Sequence, residues 1–183
     1  MNHNNLSWER KSRRVVYDTP HMQVYEDCVR LPGGHIIDDY SVANLPDGII
    51  IIATDKDNNL IIFDEYKYAV NETILTLPAG GMDGDESPVQ AAARELLEET
   101  GYESTDFELI GEFYVYPSKI QHTNYMVRAK NAKKIKEIDH EATETIGEVQ
   151  LIPISKLKKL RLSGKFNTTP LITALALAFP ETF

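Results

Sequence analysis

Residues 87–101 limit what this chain can fold into more than any other stretch. Ser87 has the chemistry of a helix N-cap, Pro88 suits the first helical position, and Gln90 completes a capping box. Gly101 stands where a C-cap glycine ends a helix. The predicted helix, 87–100, carries Val89, Ala92, Ala93 and Leu96 on one face at helical spacing, an apolar arc that must pack on a sheet. Glu95 and Glu99 lie one turn apart on a common face, with Glu98 beside them. Two like charges about 5 Å apart repel by roughly 3 kcal/mol at an effective dielectric of about 20. Acidic groups in the last turns also oppose the helix dipole. A solvated acidic face is the plain alternative, but this placement works against stability. A divalent cation reverses the sign, because oxygen ligands with water are what magnesium prefers. Gly80 and Gly81, just upstream, offer backbone amides and carbonyls, so loop and helix together read as a metal–phosphate site.

The rest of the chain reads mainly as strands. Residues 15–17, 22–31 and 36–43 form two or three strands, with Pro32-Gly33-Gly34 as a hairpin turn. Residues 48–54 and 60–63 are apolar runs of the kind covered on both faces, separated by a polar turn. Residues 75–81 are a strand ending in the glycine loop. Beyond the helix, 107–116, 124–128 and 149–154 read as strands, 130–144 as a charged loop, 155–160 as a short helix and 168–178 as a C-terminal helix. Strands with helices between them imply a layered α/β (α+β) domain.

With 183 residues, 42% hydrophobic and 26% charged, the chain suits one globular domain with a small N-terminal extension. A net charge of −9 argues against duplex DNA or an anionic membrane as partner, yet a polyanion can still bind where metal neutralises the site. The single Cys28 cannot form an internal disulfide and reads as a buried structural thiol, suiting a reducing, cytoplasmic compartment. No apolar run approaches the roughly 20 residues of a membrane span. His3, His21, His35, His122 and His140 show no metal-ligand spacing.

The pattern of Gly80, Glu86 and then Arg94-Glu95-Leu96-Leu97-Glu98-Glu99-Thr100-Gly101-Tyr102 resembles the Nudix box at its fixed positions, with Tyr102 where an aliphatic residue is more usual. The resemblance implies a mixed β-sheet sandwiched between helices, with an N-terminal antiparallel strand extension. It implies that Glu95, Glu98 and Glu99, joined by the Ala79 carbonyl, hold Mg2+ or Mn2+. Arg94 would fix the glutamates by pairing, Glu86 would help through water or metal, and Gly80 and Gly101 would be turn glycines. The implied reaction is metal-assisted hydrolysis of a pyrophosphate.

Three further features resemble the ADP-ribose pyrophosphatase and nucleoside-diphosphate-sugar branch. Lys67, in Glu65-Tyr66-Lys67-Tyr68, stands where a basic residue contacts the diphosphate, an edge-strand lysine being the alternative. Pro117 lies sixteen residues after Gly101, a spacing shared with these enzymes. The N-terminal strands, residues 1–45 ahead of a Nudix domain at 46–183, imply a homodimer. Trp8 and Tyr17 would then stack on a nucleobase, with anchoring of the N-terminal arm the alternative for Trp8. The substrate-binding set so implied is Trp8, Tyr17, Lys67, Gly80, Gly81, Glu86 and Pro117. Thr76 and Ser118-Lys119-Ile120 depart from the branch pattern and leave room for ADP-glucose or GDP-mannose beside ADP-ribose. The general base is expected in the acidic loop, Glu141 first, then Glu144, with Glu148 after them. A Nudix hydrolase of triphosphates, dinucleoside polyphosphates or capped RNA is the alternative enzyme. A non-catalytic nucleotide sensor would have lost box glutamates, and all are present.

Overall fold

The computed structural model describes residues 6–138 and 145–183. The chain divides into two compact units, Met1–Asp47 with Tyr114–Thr123, and Gly48–Phe113 with Asn124–Phe183. Nothing in the sequence pattern marks residues 114–123 as belonging with the N-terminal strands.

In the first unit, β1 (Glu9–Thr19), β2 (Met22–Arg30) and β3 (Ile36–Asn44) form an antiparallel meander. Gly34, at φ +86°, makes the turn into β3, a conformation open to glycine at little cost. β1 and β2 are fastened by a bidentate pair, Arg13 Nε and Nη2 donating to the two Asp27 carboxylate oxygens at 2.8 Å each. The Arg13 guanidinium also lies 3.9 Å from the centre of the Tyr25 ring. These hydrogen bonds hold the buried Asp27 carboxyl below its ordinary range. Cys28 is partly exposed rather than buried, because it lies opposite Ser12 on the exposed edge strand β1.

The second unit is built on β4 (Gly48–Asp55), β5 (Asn59–Lys67), β6 (Glu72–Thr76), β7 (Ala79–Gly81), α1 (Pro88–Thr100), β8 (Tyr102–Glu103) and β9 (Asp106–Tyr114). After β10 (Ile120–Gln121), which pairs parallel with β3 in the first unit, follow β11 (Thr123–Lys134), β12 (Gln150–Pro153), a 3-10 turn at Ile154–Lys156, α2 (Leu157–Leu162) and α3 (Thr169–Ala178). The sheet runs β12-β5-β4-β11-β8, with β6 on β5, β7 on β4 and β9 on β11. β4 and β11 are parallel and the other registered pairs antiparallel, so the sheet is mixed.

Strand alternation explains the layers. Ile50, Ile52, Leu60 and Ile62 pack with Leu157, Leu171 and Leu175 of α2 and α3, while Ile49, Ile51, Ala53 and Ile61 pack with Ala91, Ala92 and Leu96 of α1. One continuous apolar run thus feeds two cores, each fully buried side chain contributing about 1.5–3 kcal/mol. The helix presents Ala91 rather than Ala93 to the core: Ala91 is buried and Ala93 only partly so. β11 extends to Lys134, past the expected end at Arg128, through an irregularity between Ala129 and Ala132 where Asn131 takes φ +54°. That bulge interrupts the alternation and hides the strand among lysines. Among the described residues, no helix is long and apolar enough to cross a membrane.

Candidate active site

The site begins at the caps of α1. The Ser87 side chain accepts from the Gln90 N–H, and Gln90 Oε1 accepts from the Ser87 N–H at 2.9 Å, which fixes the first turn. At the other end Gly101 takes φ +70° and its N–H donates to the Leu97 carbonyl at 3.0 Å. A Cβ at Gly101 would stand 2.2 Å from the Lys136 carbonyl oxygen, so a side chain is excluded by strain and by space together. The Ile135 N–H donates to the Gly101 carbonyl at 2.9 Å, joining the helix end to the chain beyond β11.

β7 lies antiparallel to β4, with Gly48 opposite Gly81, Ile49 opposite Gly80 and Ile50 opposite Ala79, and α1 packs beside it. The Ala79 N–H donates to Glu99 Oε2 at 2.9 Å. Glu99 is 9% exposed, a carboxylate held in the helix–strand seam. Gly80 passes so close to Glu95 that a Cβ there would lie 2.0 Å from its Oε1. Glycine at position 80 therefore makes room for a carboxylate rather than for a turn.

Arg94 gathers the remaining groups. Its Nη2 donates to the Gly81 carbonyl at 3.0 Å and to Glu86 Oε1 at 2.7 Å, and its Nε to Glu86 Oε2 at 3.3 Å. Its Nη1 donates to Glu95 Oε1 at 2.7 Å and to Glu98 Oε2 at 3.2 Å. Asp83 stands 3.8 Å from Nη2. These acceptors, Glu86 foremost, raise the Arg94 pKa further, so the guanidinium stays charged. The same pairing, helped by the Asp83 N–H at 2.6 Å, lowers the Glu86 pKa.

Among the described residues, no three His, Cys, Asp or Glu side chains converge as a ready metal cage. Arg94 draws Glu95 and Glu98 toward itself, and Glu99 turns to the Ala79 amide. The donor set nevertheless fits a hard cation. Glu86, Glu95 and Glu98 bring three carboxylates against one guanidinium, Glu99 adds a fourth on the Ala79 amide, and their donors are all oxygen.

The other expected site residues lie as follows. Lys67, at the end of β5, is paired with Glu65 at 2.5 Å, so its charge already has a partner. In the first unit Trp8 packs edge-on against Tyr40 at 5.4 Å and 70°, with Lys119 on the Tyr40 ring at 3.6 Å. Trp8 is still 46% exposed, and Tyr17 is exposed on β1. Pro117 lines a cavity of about 480 Å³ with Tyr40, Tyr114, Lys119 and His122. Glu141 and Glu144 lie outside the described residues; Glu148 is exposed. The Thr145 carbonyl accepts from the Tyr66 N–H at 3.1 Å, which places Thr145 on β5 next to Lys67. Sequence reasoning missed Asp83 and Tyr40. The Asp83-Gly84 turn, with Gly84 at φ +52°, was the available sign for the first; for Tyr40 there was none, since its partners are distant in sequence.

Comparison with known proteins agrees with this geometry. A family model described as the NUDIX domain matches residues 44–172, and one described as the nucleoside diphosphate sugar hydrolase N-terminal domain matches residues 8–43. An ADP-ribose pyrophosphatase from Bacillus subtilis is 25% identical over 153 residues, 82% of either chain. A CMP-5'-(N-acetyl-N-hydroxy-3-aminopropyl)phosphonate hydrolase from Streptomyces rubellomurinus is 26% identical over 164 residues, 90% of this chain and 78% of the relative. The fold is shared with a solved structure described as an ADP compounds hydrolase, at a TM-score of 0.79 and 21% identity, covering 93% of this chain and 91% of that one. The chain belongs to the NUDIX family and is a pyrophosphohydrolase of that family.

Proposed function

We propose that the chain hydrolyses the pyrophosphate bond of a nucleoside diphosphate sugar, with ADP-ribose, cleaved to AMP and ribose 5-phosphate, as the first substrate to expect. The observation that carries the reading is the Arg94-centred set of carboxylates beside Gly80 and Gly81. The match of residues 8–43 to the nucleoside diphosphate sugar hydrolase N-terminal domain supports the substrate class.

Magnesium, or manganese in its place, supplies Lewis-acid chemistry when bound, polarising a phosphate oxygen and making water a better nucleophile. Glu95, Glu98 and Glu99, with the Ala79 carbonyl, would hold it. The chain's own groups do the positioning. Arg94 fixes Glu95 and Glu98 from one nitrogen and ties the helix to the Gly81 carbonyl with another. Glu86 anchors the far side of that guanidinium. Gly80 leaves the space that the Glu95 carboxylate needs. Lys67 would exchange its Glu65 partner for the substrate diphosphate. Glu141, or Glu144 in its place, would take the proton of the attacking water. Trp8, Tyr17 and Pro117 would contribute recognition of base and sugar.

A homodimer through the N-terminal strands completes the proposal. β1 is an exposed strand with Val15, Val16 and Tyr17 each more than half exposed, an edge of the kind that pairs with another chain. Light scattering is expected to give a dimer; a monomer would remove this part.

The activity is tested by phosphate release with alkaline phosphatase as coupling enzyme and magnesium present. The panel is ADP-ribose, ADP-glucose, GDP-mannose, a diadenosine polyphosphate and GTP, the last with a no-enzyme control. Preference for the diphosphate sugars is expected. Turnover confined to GTP or the dinucleotide would keep the family chemistry and overturn the substrate assignment.

A further inference from the structure

Residues 150–180 contain five cationic side chains, Lys156, Lys158, Lys159, Arg161 and Lys165, and no acidic one. This +5 segment belongs to a chain of net charge −9, so the remainder carries −14. All five are exposed. Among the described residues the four lysines have no ion-pair partner, while the Arg161 guanidinium lies 5.1 Å from the Phe183 ring centre.

The electrostatics of α2 does not account for the set. Lys159 and Arg161 in the last turn complement the helix dipole, but Lys156 at the N-cap and Lys158 in the first turn oppose it, with no acidic residue there to compensate. Lys156 and Lys159, like Lys158 and Arg161, are three apart and repel as surface neighbours. Leu157 is buried and Leu160 packs on the same core, so the helix is fixed by its apolar side. The cations remain in solvent together with Leu162, which is 74% exposed. Beyond the helix a cavity of about 330 Å³ opens beside Lys165, lined also by Thr73, Gln150, Asn167 and Asp64. The Asp64 carboxylate there already accepts from the Gln150 amide at 2.8 Å.

We propose that this face of α2 is a docking surface for an extended acidic segment of another protein, independent of the hydrolytic site. The cations are strung along roughly 10 Å of helix and the turn beyond it, longer than a single phosphate. Lysines act as hydrated point charges, suited to a run of carboxylates rather than to a forked contact with one anion. Leu162 offers an apolar contact within the run, and the cavity beside Lys165 has room for one side chain of the segment. A nucleic acid fits less well, because the −14 remainder repels a long polyanion and the patch presents no exposed aromatic residue for base stacking. A membrane surface fits less well, because Leu162 is the one large exposed apolar residue of α2, where an interfacial helix needs an apolar face.

The test is fluorescence anisotropy of the full chain with a labelled peptide of about ten residues, glutamates interrupted by one leucine. Saturable binding is expected at low salt. The joint change Lys156→Gln, Lys158→Gln and Lys159→Gln should weaken it about tenfold, as should raising salt from about 50 to about 250 mM. The charge-matched change Lys130→Gln, Lys133→Gln and Lys136→Gln should alter it by no more than about twofold. Both triple variants should keep the hydrolytic activity of the parent, since neither set belongs to the site. Absent binding, equal weakening by the two triples, or tighter binding of a single-stranded oligonucleotide or of phosphatidylserine vesicles would each overturn the proposal.

Discussion

β4 and β1 both carry an uninterrupted apolar run, Ile49-Ile50-Ile51-Ile52 in one and Val15-Val16-Tyr17 in the other, yet their surroundings differ completely. β4 has β5, β7 and β11 as partners and is buried from Gly48 to Thr54. Among the described residues β1 is an edge strand paired only with β2, and it is exposed from Glu9 to Asp18. An apolar run therefore identifies a strand but not its place in a sheet. Where it lies on an edge it leaves unpaired amides and carbonyls beside apolar side chains, a combination that a stable monomer avoids.

Truncation in each strand should separate the two environments. Ile51→Ala removes a fully buried side chain and should lower unfolding stability by about 2–5 kcal/mol in denaturant titration. Val16→Ala should cost within about 0.5 kcal/mol per isolated chain and weaken the proposed dimer instead, seen by sedimentation. Equal losses from the two changes would erase the distinction.

Gly101→Ala addresses the junction at the end of α1. Alanine in the left-handed region, against a carbonyl 2.2 Å from its Cβ, should cost about 1–3 kcal/mol in thermal melting. Melting within a few tenths of a kcal/mol of the parent would show that the contact relaxes freely. Gly80→Ala should behave differently, because the atom it meets is the far end of the flexible Glu95 side chain, held there by Arg94. That carboxylate can swing away, so stability should hold while turnover falls about tenfold, equivalent to about 1.4 kcal/mol of barrier. Full turnover in Gly80→Ala would remove Glu95 from the working site.

Acid titration probes the first unit. The Asp27 pKa is lowered in the fold, chiefly by its hydrogen bonds to Arg13. Its stabilisation is therefore complete above the ordinary carboxylate value of 3.8 and is lost as pH falls below that value through the folded pKa. Asp27→Asn should lower stability at neutral pH and flatten the acid-side loss; an unchanged acid limb would show that other carboxylates govern it.

The readability of the chain follows from how local each signal is. Both caps of α1 and the grouping of Glu95, Glu98 and Glu99 near its end are set within a few residues, and they form where the spacing places them. Ala91 replaces Ala93 on the buried face because the sheet, not the periodicity, fixes the rotation of the helix. Residues 114–123 join the first unit through a two-residue parallel pairing of β10 with β3, a long-range contact without a local signature. The site shows the same divide. Arg94 and the glutamates are legible as a motif, whereas the approach of Gly80 to Glu95 depends on how β7 packs beside α1, a contact with no local signature.

On the reading proposed above, the carboxylates of α1 perform chemistry rather than support the fold. Glu99→Gln tests it most directly, because glutamine keeps an oxygen to accept from the Ala79 amide and removes the charge. Phosphate release from ADP-ribose and the melting temperature should be measured side by side for parent and variant. Turnover is expected to fall by more than the roughly 10–100-fold typical of residues one layer out from a metal, with melting nearly unchanged. Retained turnover would contradict the claim.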